Sequence, residues 1–155
     1  MWGYVGYSGA KWKMLLGAHE HTLDDKNRLT LPAKLREQLG EELVVTRSLD
    51  GCLAVYSREG FELLAARVGT LDPFSPEART MQRFFFTGAE RVEPDRQGRI
   101  VIPARLLEET KAGRELTIAG VYDHLEIWDR AAWRDQLTRA EGSAEDVAER
   151  LANRS

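Results

Sequence analysis

Two short segments place side chains of opposite charge at one fixed spacing: Asp24-Asp25-Lys26-Asn27-Arg28 and Asp95-Arg96-Gln97-Gly98-Arg99. A carboxylate and a guanidinium four residues apart meet when the chain between them turns back. Asn27 and Gly98 hold equivalent places, and both residue types tolerate positive φ, so each segment is expected to form a tight turn or bulge. The aspartate then orients the arginine. A guanidinium held in this way is a planar fork of donors matched to guanine O6 and N7 or to a phosphate. Lys26 and Arg96 in the turns, and Lys34, Arg36 and Arg105 further on, would add phosphate contacts. The same pairs could also do no more than pin their turns, since surface ion pairs are common. That alternative makes the chain a structural or protein-interaction module.

Other reactive residue types form weaker sets. His19 and His21 flank Glu20, and with Asp24 and Asp25 they would be the candidate metal ligands. On a strand both rings fall on one face, which suits a metal. The equivalent positions further on are Glu90 and Val92, so the set does not recur, and exposed or half-buried strand histidines are the preferred reading. Cys52 is the single cysteine and has no evident histidine partner. No phosphate-cradling glycine loop and no nucleophile-elbow motif occurs. We therefore expect no enzyme, no catalytic residue, no metal, no cofactor and no small-molecule substrate.

The elements that must hold the two Asp-x-x-x-Arg segments are themselves repeated. Residues 24–37 read DDKNRLTLPAKLRE and residues 95–108 read DRQGRIVIPARLLE. At a constant offset of 71, six of the fourteen positions are identical, where ordinary composition gives about one by chance. Upstream, Gly17 matches Gly88. Downstream, Leu43-Val-Val matches Leu116-Thr-Ile, Leu53–Tyr56 matches Leu125–Trp128, and Phe61 matches Trp133. The expected organisation is an extension at 1–13, a first module at 14–68, a connecting helical region at 69–84, a second module at 85–140 and a charged helical tail at 141–155.

Within each module, Arg28–Leu31 and Arg99–Ile102 are β-prone and apolar and read as strands. Pro32 and Pro103 end those strands and suit the first turn of short helices at Ala33–Leu39 and Ala104–Lys111. Strands follow at Leu43–Arg47 and Leu53–Tyr56, joined through Asp50-Gly51, a strong hairpin signal. Their counterparts are Glu115–Ala119 and Leu125–Trp128. Each module closes with a helix, about Arg58–Val68 and about Arg130–Ala140. Ser75 and Pro76 open a helix between the modules, and Ser143 with Asp146 resembles a capping box for a separate last helix reaching about Ala152. Phe84, Phe85 and Phe86 are expected in the core or at a subunit interface. Tyr56, Phe61, Trp128 and Trp133 are expected as the aromatic core of each repeat. A unit this small buries little apolar surface alone, so the two copies are expected to share one pseudo-twofold core.

The chain has 155 residues, 43% of them hydrophobic and 30% charged, which fits a soluble globular protein. No apolar run approaches bilayer length, and a single cysteine fits a reducing, cytoplasmic setting. The formal net charge is -3, although dedicated DNA binders are often basic. Local patches still suffice for binding. Between Asp24 and Glu37 there are four basic and three acidic side chains, so one module should bind weakly and several in register should bind well.

Taken together, MLLGAHEHTLDDKNRLTLPAKLRE from Met14, LVVTRSLDGCLAVY from Leu43, QRFFFTGAERVEPDRQGRIVIPARL from Gln82 and HLEIWDRAAW from His124 resemble the MraZ family. The resemblance implies an α+β, β-rich fold of two tandem AbrB/SpoVT-like swapped-hairpin modules, packed into one small barrel-like core with flanking helices. It implies a sequence-specific DNA-binding regulator, read here as a repressor, of the division and cell-wall gene cluster. The partners it implies are double-stranded DNA, as short G-rich direct repeats in the promoter, and further copies of the chain in a ring. Membrane association is not expected; the setting is cytoplasmic and nucleoid-associated. Carried onto this chain, the motif residues are Asp24, Arg28, Asp95 and Arg99. The first motif of the family usually has glycine where this chain has Asn27.

Overall fold

The computed structural model describes residues 14–154, so the expected extension at 1–13 and the last residue of the charged tail lie outside the described residues. The elements run β1 Ala18–Thr22, β2 Arg28–Thr30, α1 Ala33–Leu39, β3 Leu43–Arg47, β4 Leu53–Ser57, α2 Arg58–Gly69, α3 Pro76–Gly88, β5 Glu90–Val92, β6 Arg99–Val101, α4 Ala104–Thr110, β7 Glu115–Gly120, β8 Leu125–Asp129 and α5 Arg130–Ala152. Local chemistry accounts for most of the boundaries. Pro32 and Pro103 carry extended backbone angles just before α1 and α4, where their missing N–H breaks no ladder. Asp50 and Gly51 both take positive φ and reverse the chain between β3 and β4. Ser57, Ser75 and Asp129 each accept the backbone N–H three residues on and so cap α2, α3 and α5.

Six strands form an antiparallel sheet in the order β1-β7-β8-β4-β3-β5, and β2 and β6 form a separate two-stranded ribbon. The sheet order is symmetric about its centre, where β4 of the first copy meets β8 of the second. The edge strands are exchanged. β1 of the first copy pairs with β7 of the second, and β5 of the second pairs with β3 of the first. The registers agree with a pseudo-twofold: His21 faces Leu116 while Val92 faces Leu43, and in the ribbon Leu29 faces its own counterpart Ile100.

Strand alternation divides the sheet into an inner and an outer face. Leu43, Val45, Leu53, Val55, Leu116, Ile118, Leu125 and Ile127 point inward, and the ribbon lies over them with Leu29, Leu31, Ile100 and Ile102. Leu35, Leu39 and Leu106 of α1 and α4 complete this shared core. Helices α2, α3 and α5 pack on the outer face. Tyr56, Phe61, Trp128 and Trp133 belong to that outer layer, with Tyr56 and Trp128 buried beneath the helices and Phe61 and Trp133 half-buried. Phe84 and Phe85 stack edge to face on the same side, and Phe86 is partly exposed.

Two expectations are corrected. The sheet does not close into a barrel. Among the described residues its end strands β1 and β5 pair only inward, and the ribbon covers the core as a separate layer, so burial is reached without closure. The tail is also not a separate capped helix: α5 runs unbroken from Arg130 to Ala152 through Gly142. Ser143 makes no cap. Its hydroxyl donates to the Arg139 carbonyl one turn back, and glycine inside a helix costs only about 1 kcal/mol relative to alanine.

Candidate nucleic-acid interface

Each Asp-x-x-x-Arg segment folds into one closed turn between an edge strand and the ribbon. In the first, the Asp24 N–H donates to the Arg28 carbonyl at 3.0 Å and the Asn27 N–H donates to the Asp24 carbonyl at 3.1 Å. Asp24 Oδ1 accepts the backbone N–H groups of Lys26 and Arg28 at 2.9 and 2.8 Å, and Oδ2 accepts Arg28 Nε at 2.6 Å. The second turn repeats the pattern. Asp95 Oδ1 accepts Gln97 and Arg99 N–H groups at 2.9 Å each, and Oδ2 accepts Arg99 Nε at 2.8 Å. Asn27 and Gly98 have φ of 58° and 77°, so the positive φ expected at both holds.

These bonds set the state of the carboxylates. Desolvation works to raise the Asp24 pKa, but the Arg28 backbone N–H, the Arg28 guanidinium and the Lys26 N–H together outweigh it and bring it to about 2. Asp95 is lowered chiefly by the Arg99 backbone N–H, against some desolvation. Both stay ionised through the physiological range and hold their arginines as ion pairs.

Beyond the turns the chain enters the β2–β6 ribbon, which has two unlike faces. Leu29 and Ile100 point into the core and are fully buried. Arg28 lies opposite Val101, and Thr30 lies opposite Arg99. Directly opposed residues share a face, so Arg28, Thr30, Arg99 and Val101 together form the outward one. Each motif arginine uses Nε on its aspartate, and its two terminal nitrogens have no protein partner among the described residues. A fork oriented at its base and open at its tip is suited to grip a planar acceptor pair or a phosphate.

The other expected contact residues divide. Lys26 and Arg96 are exposed in the turns flanking this face, and Lys34 is exposed on α1. Arg105, the counterpart of Lys34, is exposed but reaches the Gly88 carbonyl at 3.4 Å and Glu90 at 3.8 Å, so it ties α4 to the start of β5. Arg36 lies over Gly98, on the site a Cβ would fill. Sequence reading missed Arg114, whose guanidinium donates to the Asp24 carbonyl from the second copy. It also passed over Thr30 and Val101 as plain strand residues, although the alternation in Arg-Leu-Thr-Leu and Arg-Ile-Val-Ile places them beside the arginines. Acidic Glu37, Glu41, Glu42 and Glu93 line a hollow beside the second turn with Arg36 and Arg96, which limits the positive field there.

Among the described residues, no group of three or more His, Cys, Asp or Glu side chains is placed to hold a metal ion. His21 is lowered by burial, with help from His19 and Arg130. Burial pushes the Cys52 thiol up to about 12, which keeps it protonated and a poor nucleophile. Among the described residues, no helix is long and apolar enough to cross a membrane.

Two exchanged β-modules in one chain, with a paired Asp-x-x-x-Arg turn on one ribbon, define a tandem swapped-hairpin protein. The MraZ family model, described as MraZ protein, matches residues 14–84 and again 85–155. Proteins named transcriptional regulator MraZ are similar over nearly their whole length. Those of Thermoanaerobacter sp. (strain X514) and Heliobacterium modesticaldum (strain ATCC 51547 / Ice1) are each 44% identical over 138 residues, covering 89% of this chain and 96% of theirs. That of Desulfitobacterium hafniense (strain Y51) is 41% identical over 140 residues, covering 90% of this chain and 98% of its own. The chain belongs to the MraZ family.

Proposed function

We propose that this chain is a transcriptional regulator that binds double-stranded DNA through the outward face of the β2–β6 ribbon. The carrying observation is that the ribbon brings Arg28 and Arg99 onto one face, each anchored by its aspartate and open at its tip. A two-stranded ribbon is narrow enough to enter the major groove, where an arginine fork pairs with guanine O6 and N7. Lys26, Arg96 and Lys34 would hold the flanking phosphates. Asp24 and Asp95 act through their arginines. They fix the turn and the fork, and being anionic they make no phosphate contact of their own.

The family resemblance extends this reading. The targets are short G-rich direct repeats in the promoter of the division and cell-wall gene cluster, the effect is repression, and the protein acts in the cytoplasm at the nucleoid. The charge pattern supports an oligomer, which the resemblance gives as a ring. One ribbon supplies few cations beside several carboxylates, and identical weak sites held in register multiply affinity without new contacts.

The test is a gel shift on the DNA just upstream of the gene, with Arg28→Ala, Arg99→Ala and the double variant. Each single change should weaken binding roughly 5- to 150-fold, the equivalent of about 1–3 kcal/mol for one bidentate base contact. The double variant should bind no better than nonspecifically, and affinity should fall steeply with salt. Unchanged affinity in all three variants overturns the assignment. If the turns are only braces, the same variants lower the melting temperature and there is no DNA binding to lose.

A further inference from the structure

Beside the two motif arginines the outward ribbon face carries an apolar residue that the core does not use. Val101 is 54% exposed, as strand alternation requires between its buried neighbours Ile100 and Ile102, yet it is apolar on a face that otherwise carries arginines and a threonine. Its counterpart in the first copy is Thr30, also exposed and also branched at Cβ. The ribbon register sets each of them directly against the other copy's arginine, Val101 against Arg28 and Thr30 against Arg99.

The ladder makes these contacts close. The Ile102 N–H donates to the Asn27 carbonyl at 2.8 Å, and the Leu31 N–H donates to the Gly98 carbonyl at 3.0 Å. Antiparallel pairs alternate, so Leu29 and Ile100 form a hydrogen-bonded pair and the two arginine pairs are non-hydrogen-bonded ones. In such pairs the Cα atoms lie only about 4.5 Å apart and the side chains stand closer together. Each motif arginine therefore has a methyl-bearing side chain directly across the ladder on the same face. In the major groove the only methyl group among the four bases is that on C5 of thymine, and apolar side chains recognise it by contact.

We propose that Val101 is a specificity-determining residue that contacts a thymine methyl next to the base taken by Arg28. Thr30 occupies the matching place beside Arg99 with one methyl and a hydroxyl, and so contributes a weaker methyl preference. The proposal rests on the DNA-binding reading above. It adds that each half of the ribbon reads a guanine together with a neighbouring thymine, and that the Val101 half does so more stringently.

The experiment compares two duplexes of the upstream fragment, one natural and one with every thymine replaced by deoxyuridine, which removes only the methyl groups. The full chain should bind the deoxyuridine duplex roughly three- to fourfold more weakly, the effect of one buried methyl contact. Val101→Ala, which withdraws both γ-methyls, should lose most of the difference between the two duplexes, while Thr30→Ala should keep most of it. A merely structural effect of Val101→Ala would weaken both duplexes by the same factor and leave the discrimination intact, which overturns the proposal. Equal binding of both duplexes by the unaltered chain also overturns it, while loss of binding in the Arg28 and Arg99 variants would leave the DNA-binding reading standing. If the unaltered chain binds neither duplex, both readings fall.

Discussion

The turn at Asp24–Arg28 and the turn at Asp95–Arg99 carry the same five hydrogen bonds and lie in different surroundings. Arg114, from the second copy, buttresses the first turn by donating to the Asp24 carbonyl. Its counterpart in the first copy is Glu41, which cannot do the same. Arg36, from the first copy, covers the second turn by lying over Gly98. The residue corresponding to Arg36 is Leu107, so the first turn has no counterpart of that arginine. The pseudo-twofold thus fixes the bonds inside each turn, and each copy sets one arginine of its own against the other's turn. A duplicated motif has in this way become two unequal halves of one surface.

The largest effect on that comparison should come from closing the space at the second turn. Gly98→Ala places a side chain at φ 77°, where only glycine is free of strain, and drives it into the Arg36 guanidinium. We expect a loss of about 1–3 kcal/mol in stability, at the upper end if Arg36 cannot swing away. Asn27→Ala also leaves a non-glycine residue at positive φ, but the starting residue already bears a side chain there, so the expected loss is at most about 1 kcal/mol. Denaturant unfolding of both variants measures the difference. Equal losses would show that Arg36 is not what distinguishes the turns.

Acid should reveal the same contrast in a smaller signal. Asp24 has a folded-state pKa of about 2 against an ordinary value of 3.8. Because it is depressed on folding, its contribution is fully present above the unfolded value and is lost as pH falls toward 2. Stability should therefore decline from about pH 5 downward, and Asp24→Asn should flatten that decline. Asp95 is depressed as well, so Asp95→Asn should flatten it further. Carboxyl titration by NMR is the direct measurement, and an Asp24 midpoint near 3.8 would contradict the bonding described for the first turn.

What could be read in advance follows from the range of each interaction. The Asp-x-x-x-Arg spacing, the positive φ at Asn27 and Gly98, the proline before each short helix and the Asp50-Gly51 reversal are local, and residue types within a few positions determine them. The exchange of β1 and β5 is not local. His19-Glu20-His21 and Glu90-Arg91-Val92 show little hydrophobic alternation, and they become strands because the other copy's β7 and β3 supply their hydrogen bonds. Their anchors are also distant: Arg130 donates to the His21 carbonyl from α5, and Arg105 donates to the Gly88 carbonyl from α4. Ser143 misled for the opposite reason. Its local pattern suggested a cap, but without a break in the backbone a serine inside a helix bonds back along it. The swapped fold itself entered through the whole-chain resemblance. The ribbon register that sets Val101 against Arg28 required the structure.

The smallest expected effect is the most specific to this chain. Asn27→Gly gives the first motif the residue that the second carries at the matching place, Gly98. Asparagine at φ 58° already holds the turn, with its N–H on the Asp24 carbonyl, so the native geometry has little to gain. Glycine would relieve the residual strain of a positive φ, and it would also enlarge the unfolded ensemble, which acts in the opposite direction. The two effects nearly cancel, and the net change in stability should stay within about 0.5 kcal/mol. The DNA-binding consequence should be equally small, because the Arg28 fork is positioned through Asp24 and not through the Asn27 side chain. Affinity for the upstream fragment should change less than about twofold, far below the loss from one bidentate base contact. A large gain in affinity on Asn27→Gly would mean that the first turn of this chain is held off its productive geometry. The inequality between the halves would then lie in the motif itself and not in the arginines that each copy lends to the other.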